Sequence, residues 1–550
     1  MDVNQAIVDI IEQAGIDHVF GGSGQINATM LLALRDSPQI KTIITRNEQA
    51  ASFMACGYAM FSDKPGVCFA TGGPGAFNLF SGLAVAYSDS LPVVSVTGYT
   101  SANQRGKGAL NESTGRNRTP DSHAMFSATT KKSYILEDPA DTYDLFEEAI
   151  NIALEGRPGP VNVHIPKDVA MFEVPEKRKV SINVQPVLPQ KNALEQAASL
   201  IASALENEKK LLFVFGYGCI RSGAQSMAQK LVERFNIPFA HTMDGRGFLP
   251  EQHPMYVGMY GTSGDPSAIA RFNESDMIIA VGNSFAQNAT YAFKTDLLMG
   301  KQLVHINIDP VEIDKVYKAD VGITGDAAPA LEALYFLLDD KNPAIPVPRL
   351  AKEMFYDSSP QSSSGKIHPG EMVKILSDHL PPNAIVLGDA GSHMLWLSGY
   401  LNLNTNQRYQ NPGSFGPMAS HTNGAIGVKC AHPDKMVIAG SGDGCYLMSG
   451  FELLTAVQYQ IPVTWIIFNN GEYNVIKKFL VDHFDDEAFM KFNNPDYVKY
   501  AEACGAEGYK VTRIEEFGPA LRKAMERNRP CLIDVHVDSE VYPPFNLGRV

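Results

Sequence analysis

Short apolar runs recur along the whole chain, each closed by a glycine, asparagine or aspartate and followed by a helix-patterned stretch. They are VVSVTG (93–98), LLFVFGYG (211–218), MIIAVGN (277–283), LVHINID (303–309), AIVLGDAG (384–391) and TWIIFNN (464–470). Their residues are β-branched or aliphatic at consecutive rather than alternate positions, so the strands they predict are buried on both faces. A sheet hides both faces when helices cover them, and helices fall between successive strands when the strands run parallel, because a parallel pair needs a long crossover. The expected fold is therefore α/β, built from parallel sheets.

Two linker-like stretches divide the chain. FEVPEKRKVSINVQPVLPQKN (172–192) is rich in proline and charge, and residues 339–370 combine prolines with a serine run. They delimit an N-terminal domain (1–175), a central nucleotide-fold domain (190–340) and a C-terminal domain (365–550), each expected to be a parallel sheet covered by helices on both faces. Three domains suit a chain of 550 residues.

One βαβ unit carries unusual polar residues. From Gly440 the chain reads GSGDGCYLMSGFELLTAVQYQIPVTWIIFNNGEYNVI, which predicts a strand over 436–439, a glycine turn, a helix over 448–459 and a buried strand over 463–468. Asp443 and Asn470 then stand at the carboxyl ends of neighbouring parallel strands, the edge at which open α/β sheets bind ligands. A carboxylate, an amide oxygen and the main-chain carbonyl of Glu472 form an oxygen set suited to Mg²⁺, and Gly442 and Gly444 leave room for a diphosphate against backbone N–H groups. The same residues also suit a helix cap followed by a plain turn, and by themselves they leave both readings open. A second constellation lies in TRNEQAASFMACGYA (45–59), where Glu48 follows the strand-like TIIT at the start of a helix, with a GGPG turn at 72–75. Glu48 is equally a first-turn carboxylate of the kind a helix dipole favours.

Composition narrows the partners. An apolar content of 45% with 19% charged residues belongs to a folded globular protein, and a net charge of −14 argues against nucleic acid and anionic membrane surfaces. Seven cysteines are scattered without a CxxC pair, as expected of reduced thiols in the cytoplasm. No apolar run reaches the length of a membrane span, and the N-terminus lacks a basic, then apolar, leader pattern. A soluble cytoplasmic protein acting on small molecules is the expectation.

Six segments together resemble the thiamine diphosphate enzymes of acetolactate synthase and pyruvate decarboxylase type, and in pattern most of all the acetolactate synthase large subunits. They are FGGSG (20–24), RNEQAA (46–51), GGPGAFN (72–78), GRPGPVNVHIPKDV (156–169), HINIDPVEI (305–313) and the GDG (442–444) to NN (469–470) pair. The resemblance implies a pyrimidine-binding first domain, a nucleotide-fold second domain and a diphosphate- and Mg²⁺-binding third domain. It places the cofactor between the first domain of one subunit and the third of another, hence a homodimer or homotetramer with shared sites. It assigns Glu48 to activation of thiamine diphosphate, and Asp443, Asn470 and the Glu472 carbonyl to the metal. Gly73, Asn78, Gly416, Gly442, Gly444, Cys445 and Met418 are implied cofactor contacts, Met418 lying under the folded rings, and Gln25 faces the reacting carbon. The implied reaction cleaves a 2-oxo acid or diketone to an acyl carbanion equivalent and ligates it to a second carbonyl.

The chain departs from these families on the substrate side. Ser23 replaces a proline, Asn47 a histidine, and Thr71 stands where benzoylformate decarboxylases carry a histidine. DSHAMF (121–126) holds one histidine where pyruvate decarboxylases have two, which weakens a simple decarboxylase; His123, His393 and His421 suit either a substitute proton donor or a structural role. RNRTPD (116–121) replaces the AFQEAD segment of acetolactate synthases, and Phe479 their acceptor-pocket tryptophan. A non-ligating decarboxylase, a 2-hydroxyacyl lyase, a flavin oxidase and a non-catalytic nucleotide-binding subunit stay open as alternatives. Arg105, Arg116 and Arg118 form a basic loop, suited to a carboxylate or phosphate or to plain solvated surface. The central domain resembles FAD-binding domains through GYGCIRSG (216–223) and GMYGTSG (258–264), but GNSFAQN (282–288) lacks the arginines of those relatives. FAD, ADP and no nucleotide at all remain open there.

Overall fold

A computed structural model of the chain describes residues 1–339, 353–355, 358, 362, 364–404 and 406–543. Most of the second linker-like stretch lies outside the described residues, whereas residues 176–190 of the first carry neither helix nor strand. Three six-stranded sheets follow one another, and every strand pairing in them is parallel.

The first sheet contains β1 (His18–Gly21), β2 (Lys41–Ile44), β3 (Gly66–Ala70), β4 (Val93–Tyr99), β5 (Lys132–Ile135) and β6 (Val161–Pro166), in spatial order β2-β1-β3-β4-β6-β5. The second contains β7 (Leu211–Phe215), β8 (Phe239–His241), β9 (Tyr256–Met259), β10 (Met277–Val281), β11 (Gln302–Asn307) and β12 (Val321–Thr324), in order β12-β11-β10-β7-β8-β9. The third contains β13 (Ile385–Gly388), β14 (Arg408–Gln410), β15 (Val437–Gly442), β16 (Val463–Asn469), β17 (Glu507–Val511) and β18 (Cys531–His536), in order β14-β13-β15-β16-β18-β17. The outer two sheets share one topology, and the middle one has the doubly wound order of dinucleotide folds. Strand order reverses between β1 and β3, between β7 and β10, and between β13 and β15. At each reversal the chain leaves the two strands in opposite directions and opens a crevice at their carboxyl ends.

The cores of the first and third sheets merge. Helix Glu48–Phe61 lies on helix Ser420–Ala431, with Phe53, Met54, Ala425 and Ile426 in one continuous apolar cluster. Small residues bring the two backbones together: a Cβ on Gly427 would lie 1.8 Å from the Met54 carbonyl oxygen, and one on Gly57 would lie 2.1 Å from that of Gly424. Only glycine permits so close an approach.

The βαβ unit after β15 differs from its expected outline. The helix begins at once, over Asp443–Ser449, passes through a 3-10 turn at Gly450–Glu452 and resumes as Leu453–Gln458. Gly450 weakens a continuous helix, and the break turns Glu452 toward the first domain. β15 also runs on through its small residues to Gly442, because the ladder with β16 continues to the Gly442–Phe468 pair and tertiary pairing overrides the low strand preference of glycine.

Candidate active site

The crevice between β13 and β15 gathers most of the polar residues singled out in the third domain. A cavity of about 330 Å³ is bordered there by Gly416, Met418, Gly442, Asp443, Gly444, Cys445, Asn470 and Glu472. Asp443 is 2% exposed. Its Oδ1 accepts from the Gly444 N–H at 2.9 Å, and its Oδ2 accepts from the N–H groups of Asn470 (3.0 Å) and Gly471 (2.6 Å) and from Asn494 Nδ2 (2.8 Å). Burial raises its pKa above the usual carboxylate range while these four donors pull the other way. Asn470 Oδ1 accepts from the Glu472 N–H at 3.1 Å, which closes the turn after β16.

Bare backbone forms part of the cavity wall. A Cβ on Gly444 would lie 2.7 Å from the Tyr473 ring, and one on Gly442 would lie 2.8 Å from His393 Nδ1. His393 borders the cavity, and burial lowers its pKa to about 3, so it is a neutral imidazole. Its Nε2 lies 3.9 Å from Cys445 Sγ, which donates to the Ala390 carbonyl at 2.9 Å. Met418 reaches the cavity between two left-handed residues, Gly416 (φ +50°) and Ala419 (φ +70°). Such a conformation at a non-glycine residue is held only when its surroundings fix it.

Glu48 belongs to the crevice between β1 and β3. Asn47 caps its helix by accepting from the Gln49 N–H at 2.8 Å, which leaves the Glu48 side chain free to point across the crevice. There its Oε2 accepts from Asn78 Nδ2 at 2.9 Å. A Cβ on Gly22 would lie 2.8 Å from Glu48 Oε1 and one on Gly75 would lie 3.0 Å from it, so the carboxylate fits a slot without slack. Gly73 (φ +62°) backs onto the Asn111 carbonyl, and Gln25 is exposed. Glu48, Asn78, Gly73 and Gln25 do not border the cavity that holds Asp443. Within one chain the two groups of residues are separate.

The loop after β4 is organised by an acid. Glu112, 6% exposed, accepts from the N–H groups of Gly106, Gly108 (2.9 Å) and Ala109 (3.0 Å) and from the Thr114 hydroxyl (2.7 Å). Burial opposes its charge, yet these bonds bring its pKa down to about 2. Arg105 is committed to a two-pronged pair with Glu137, at 2.7 and 3.0 Å. Only Arg116 and Arg118 of the three basic residues remain presented to solvent.

A larger cavity, of about 880 Å³, opens at the β7/β10 crevice and reaches Arg157 of the first domain and Asn411 of the third. Gly216 and Gly218 pack directly on Gly282, where a Cβ would come within 2.3 Å of the Gly282 oxygen and 2.7 Å of its Cα. Arg157 pairs with Glu312 at 2.7 Å and Asp309 at 3.3 Å.

Asn494, Lys477 and Glu452 carry no mark of their roles in the sequence. Asn494 lies 51 residues after Asp443 and meets it only through folding. Lys477, 3% exposed, sits 2.8 Å from Glu472 Oε2 and 3.2 Å from Glu540 Oε1, and nothing in a KK pair marks one lysine as buried.

Among the described residues no helix is long and apolar enough to cross a membrane. The chain matches three profiles of the thiamine pyrophosphate enzymes in order: the N-terminal TPP binding domain over residues 1–119, the central domain over 198–334 and the C-terminal TPP binding domain over 389–535. It is 32% identical to the acetolactate synthase large subunit of Corynebacterium glutamicum, over 99% of this chain and 88% of that one. The probable acetolactate synthase large subunit of Methanocaldococcus jannaschii is likewise 32% identical, over 97% of this chain and 91% of its own, and the acetolactate synthase of Mycobacterium bovis is 32% identical over 99% and 90%. With three domains matched in sequence and in sheet architecture, the chain belongs to the thiamine pyrophosphate enzyme family.

Proposed function

We propose that the protein is an acetolactate synthase-like carboligase dependent on thiamine diphosphate and Mg²⁺, which converts a 2-oxo acid or diketone to an acyl carbanion equivalent and joins it to a second carbonyl. The observation that carries this reading is the buried Asp443 carboxylate at the end of β15, one strand from Asn470 and beside a glycine-walled cavity. Hard oxygens next to bare backbone fit a divalent cation and a diphosphate. Asp443, Asn470 and the Glu472 carbonyl would hold the metal, and Met418 would support the rings. When bound, thiamine diphosphate supplies a carbon acid whose conjugate base adds to carbonyls and stores the electron pair. Glu48, fixed by Asn78, would exchange a proton with the aminopyrimidine. Gln25, Val475 and Phe479 stand where selection of donor and acceptor would fall. The names of the relatives support the ligating reaction.

The test incubates the holoenzyme with a panel of 2-oxo acids and diketones, with and without an aldehyde acceptor, and identifies products by mass spectrometry. Ligated hydroxyketones are expected. Free aldehyde alone, in the presence of acceptor, would instead establish the non-ligating decarboxylase.

The active unit is proposed to be at least a dimer, because the half-sites around Glu48 and Asp443 are separate within one chain and apolar side chains beside the Asp443 helix, Phe451 (65% exposed) and Met448 (55%), are left bare. Mixing inactive Glu48→Gln and Asp443→Ala chains should then restore some activity. If subunits exchange and no activity returns, the shared site is wrong. For the central cavity we propose an adenine nucleotide, FAD or ADP. Its volume, its glycine wall and the order of its sheet support that choice. Seven cysteines without a disulfide support a cytoplasmic location.

A further inference from the structure

The turn that carries Glu48 is fixed mainly by side chains of the third domain. It joins β2 to helix Glu48–Phe61, and within the first domain it is held by the Thr45 N–H and hydroxyl on the Gly21 carbonyl, at 2.9 and 3.3 Å, and by the Asn47 cap on the Gln49 N–H at 2.8 Å. The remaining anchors come from residues 452–459. The Ile44 N–H donates to the Tyr459 hydroxyl at 3.0 Å, and the N–H groups of Arg46 and Asn47 both donate to Glu452 Oε1 at 3.0 Å. Arg46 Nη2 donates to Gln458 Oε1 at 2.6 Å. Glu452 is 3% exposed, and its other oxygen accepts from the Thr455 hydroxyl at 2.6 Å. The carboxylate is therefore immobilised at both oxygens, and it immobilises the two peptide groups that precede Glu48.

We infer that Glu452 is a positioning residue for Glu48, acting across the domain boundary through the main chain. The slot that receives Glu48 makes this consequential. Gly22 and Gly75 leave no room for even a methyl group beside Oε1, and Asn78 holds Oε2 at 2.9 Å. A helix start that drifts by a fraction of an ångström takes the carboxylate out of register with that slot, and misplacement on the order of 1 Å costs about a hundredfold in a positioned reaction. The inference rests on the reading that Glu48 serves thiamine diphosphate.

The experiment compares the wild type with E452A, E452Q, E452D and E48Q. The first readout is deuterium exchange at the thiazolium carbon of bound thiamine diphosphate, followed by NMR. The second is amide hydrogen exchange over residues 44–49 in the protein without cofactor. E452A should slow thiazolium exchange by about 10–100-fold and deprotect the turn. E452Q keeps an oxygen for both N–H groups and should stay within about threefold of wild type. A wild-type rate in E452A, or normal protection of its turn, overturns the inference. So does an E452Q as slow as E452A, since charge rather than position would then be the cause. Should E452A fail to fold, E452D draws the carboxylate back by one methylene from the Arg46 and Asn47 N–H groups, and an unchanged rate with unchanged protection there overturns the inference equally. E48Q separates the two readings: normal exchange in E48Q removes Glu48 from its role, whereas slow E48Q with normal E452A removes only Glu452.

Discussion

Asp244→Asn tests whether the central cavity keeps its carboxyl groups protonated. Asp244, in the turn Met243–Gly245, accepts from Asn411 Nδ2 at 2.9 Å, and Asp89 of the first domain accepts from the Gly413 N–H at 3.1 Å. Two acids from two domains thus grip one short segment of the third, which leads directly to Met418. Burial, with a further push from Asp89, takes the Asp244 pKa from 3.8 up to about 7, and burial takes Asp89 up to about 6. For Asp244 the folded value lies above the unfolded one, so the folded chain keeps a proton that the unfolded chain has released. Its stability contribution is complete below pH 3.8 and is lost as pH rises through about 7. At about 1.4 kcal/mol per unit, the two or so units between pH 5 and 7 amount to about 3 kcal/mol. The carboxyl borders the cavity, and water there reduces this to roughly 1–2 kcal/mol. An asparagine carries no charge at any pH and keeps an oxygen for Asn411. The gap in stability between Asp244→Asn and wild type should therefore widen in the variant's favour by roughly 1–2 kcal/mol between pH 5 and pH 8, measured by urea unfolding. A gap of the same size at both pH values refutes the protonated acid.

Asp443→Ala removes the charged oxygen ligand, and thiamine diphosphate should be lost on gel filtration even in excess Mg²⁺; retention equal to wild type sinks the metal assignment. Lys477→Met leaves the Glu472 side chain, 8% exposed, without its cation at 2.8 Å, and unfolding free energy should fall by about 3 kcal/mol, a loss below about 1 kcal/mol contradicting the buried pair. Gly427→Ala drives a methyl group toward the Met54 carbonyl, 1.8 Å away before relaxation, and should cost at least about 2 kcal/mol, visible as a lower thermal midpoint; an unchanged midpoint would show that the helix pair can separate.

The fold was legible because its signal is written in every strand. Runs such as MIIAVGN and TWIIFNN have one reading once their length and closing turns are counted, and β10 and β16 follow them closely. The start of the helix after β15 is hidden in the sequence because its first turn follows GSG and itself holds Gly444, so a clear apolar pattern begins only after the helix has started. Asp443 and Asn470 were visible because adjacent parallel strands convert a sequence gap into a shared edge. Glu452 and Asn494 were not, since they meet Arg46 and Asp443 across 406 and 51 residues, and Lys477 was not, since a lone sequence does not record its burial. Arg105 read as a free cation for the same reason, its Glu137 partner lying 32 residues on.

The internal geometry also supports a second copy. Asp443 opens a helix of seven residues and a 3-10 turn of three that ends at Glu452, which amounts to about 16 Å of helical rise. At the far end Glu452 holds the peptides just before Glu48. Asp443 and the clasp on the turn that carries Glu48 thus lie at opposite ends of one segment, Asp443–Glu452. Hinge motion between the domains offers no escape, because the Gly57–Gly424 and Gly427–Met54 contacts lock helix Glu48–Phe61 against helix Ser420–Ala431 backbone to backbone, and close-packed interfaces of this kind do not deform continuously. Glu48 and Asp443 of one chain are therefore held apart, which is what the proposed site shared between two subunits requires.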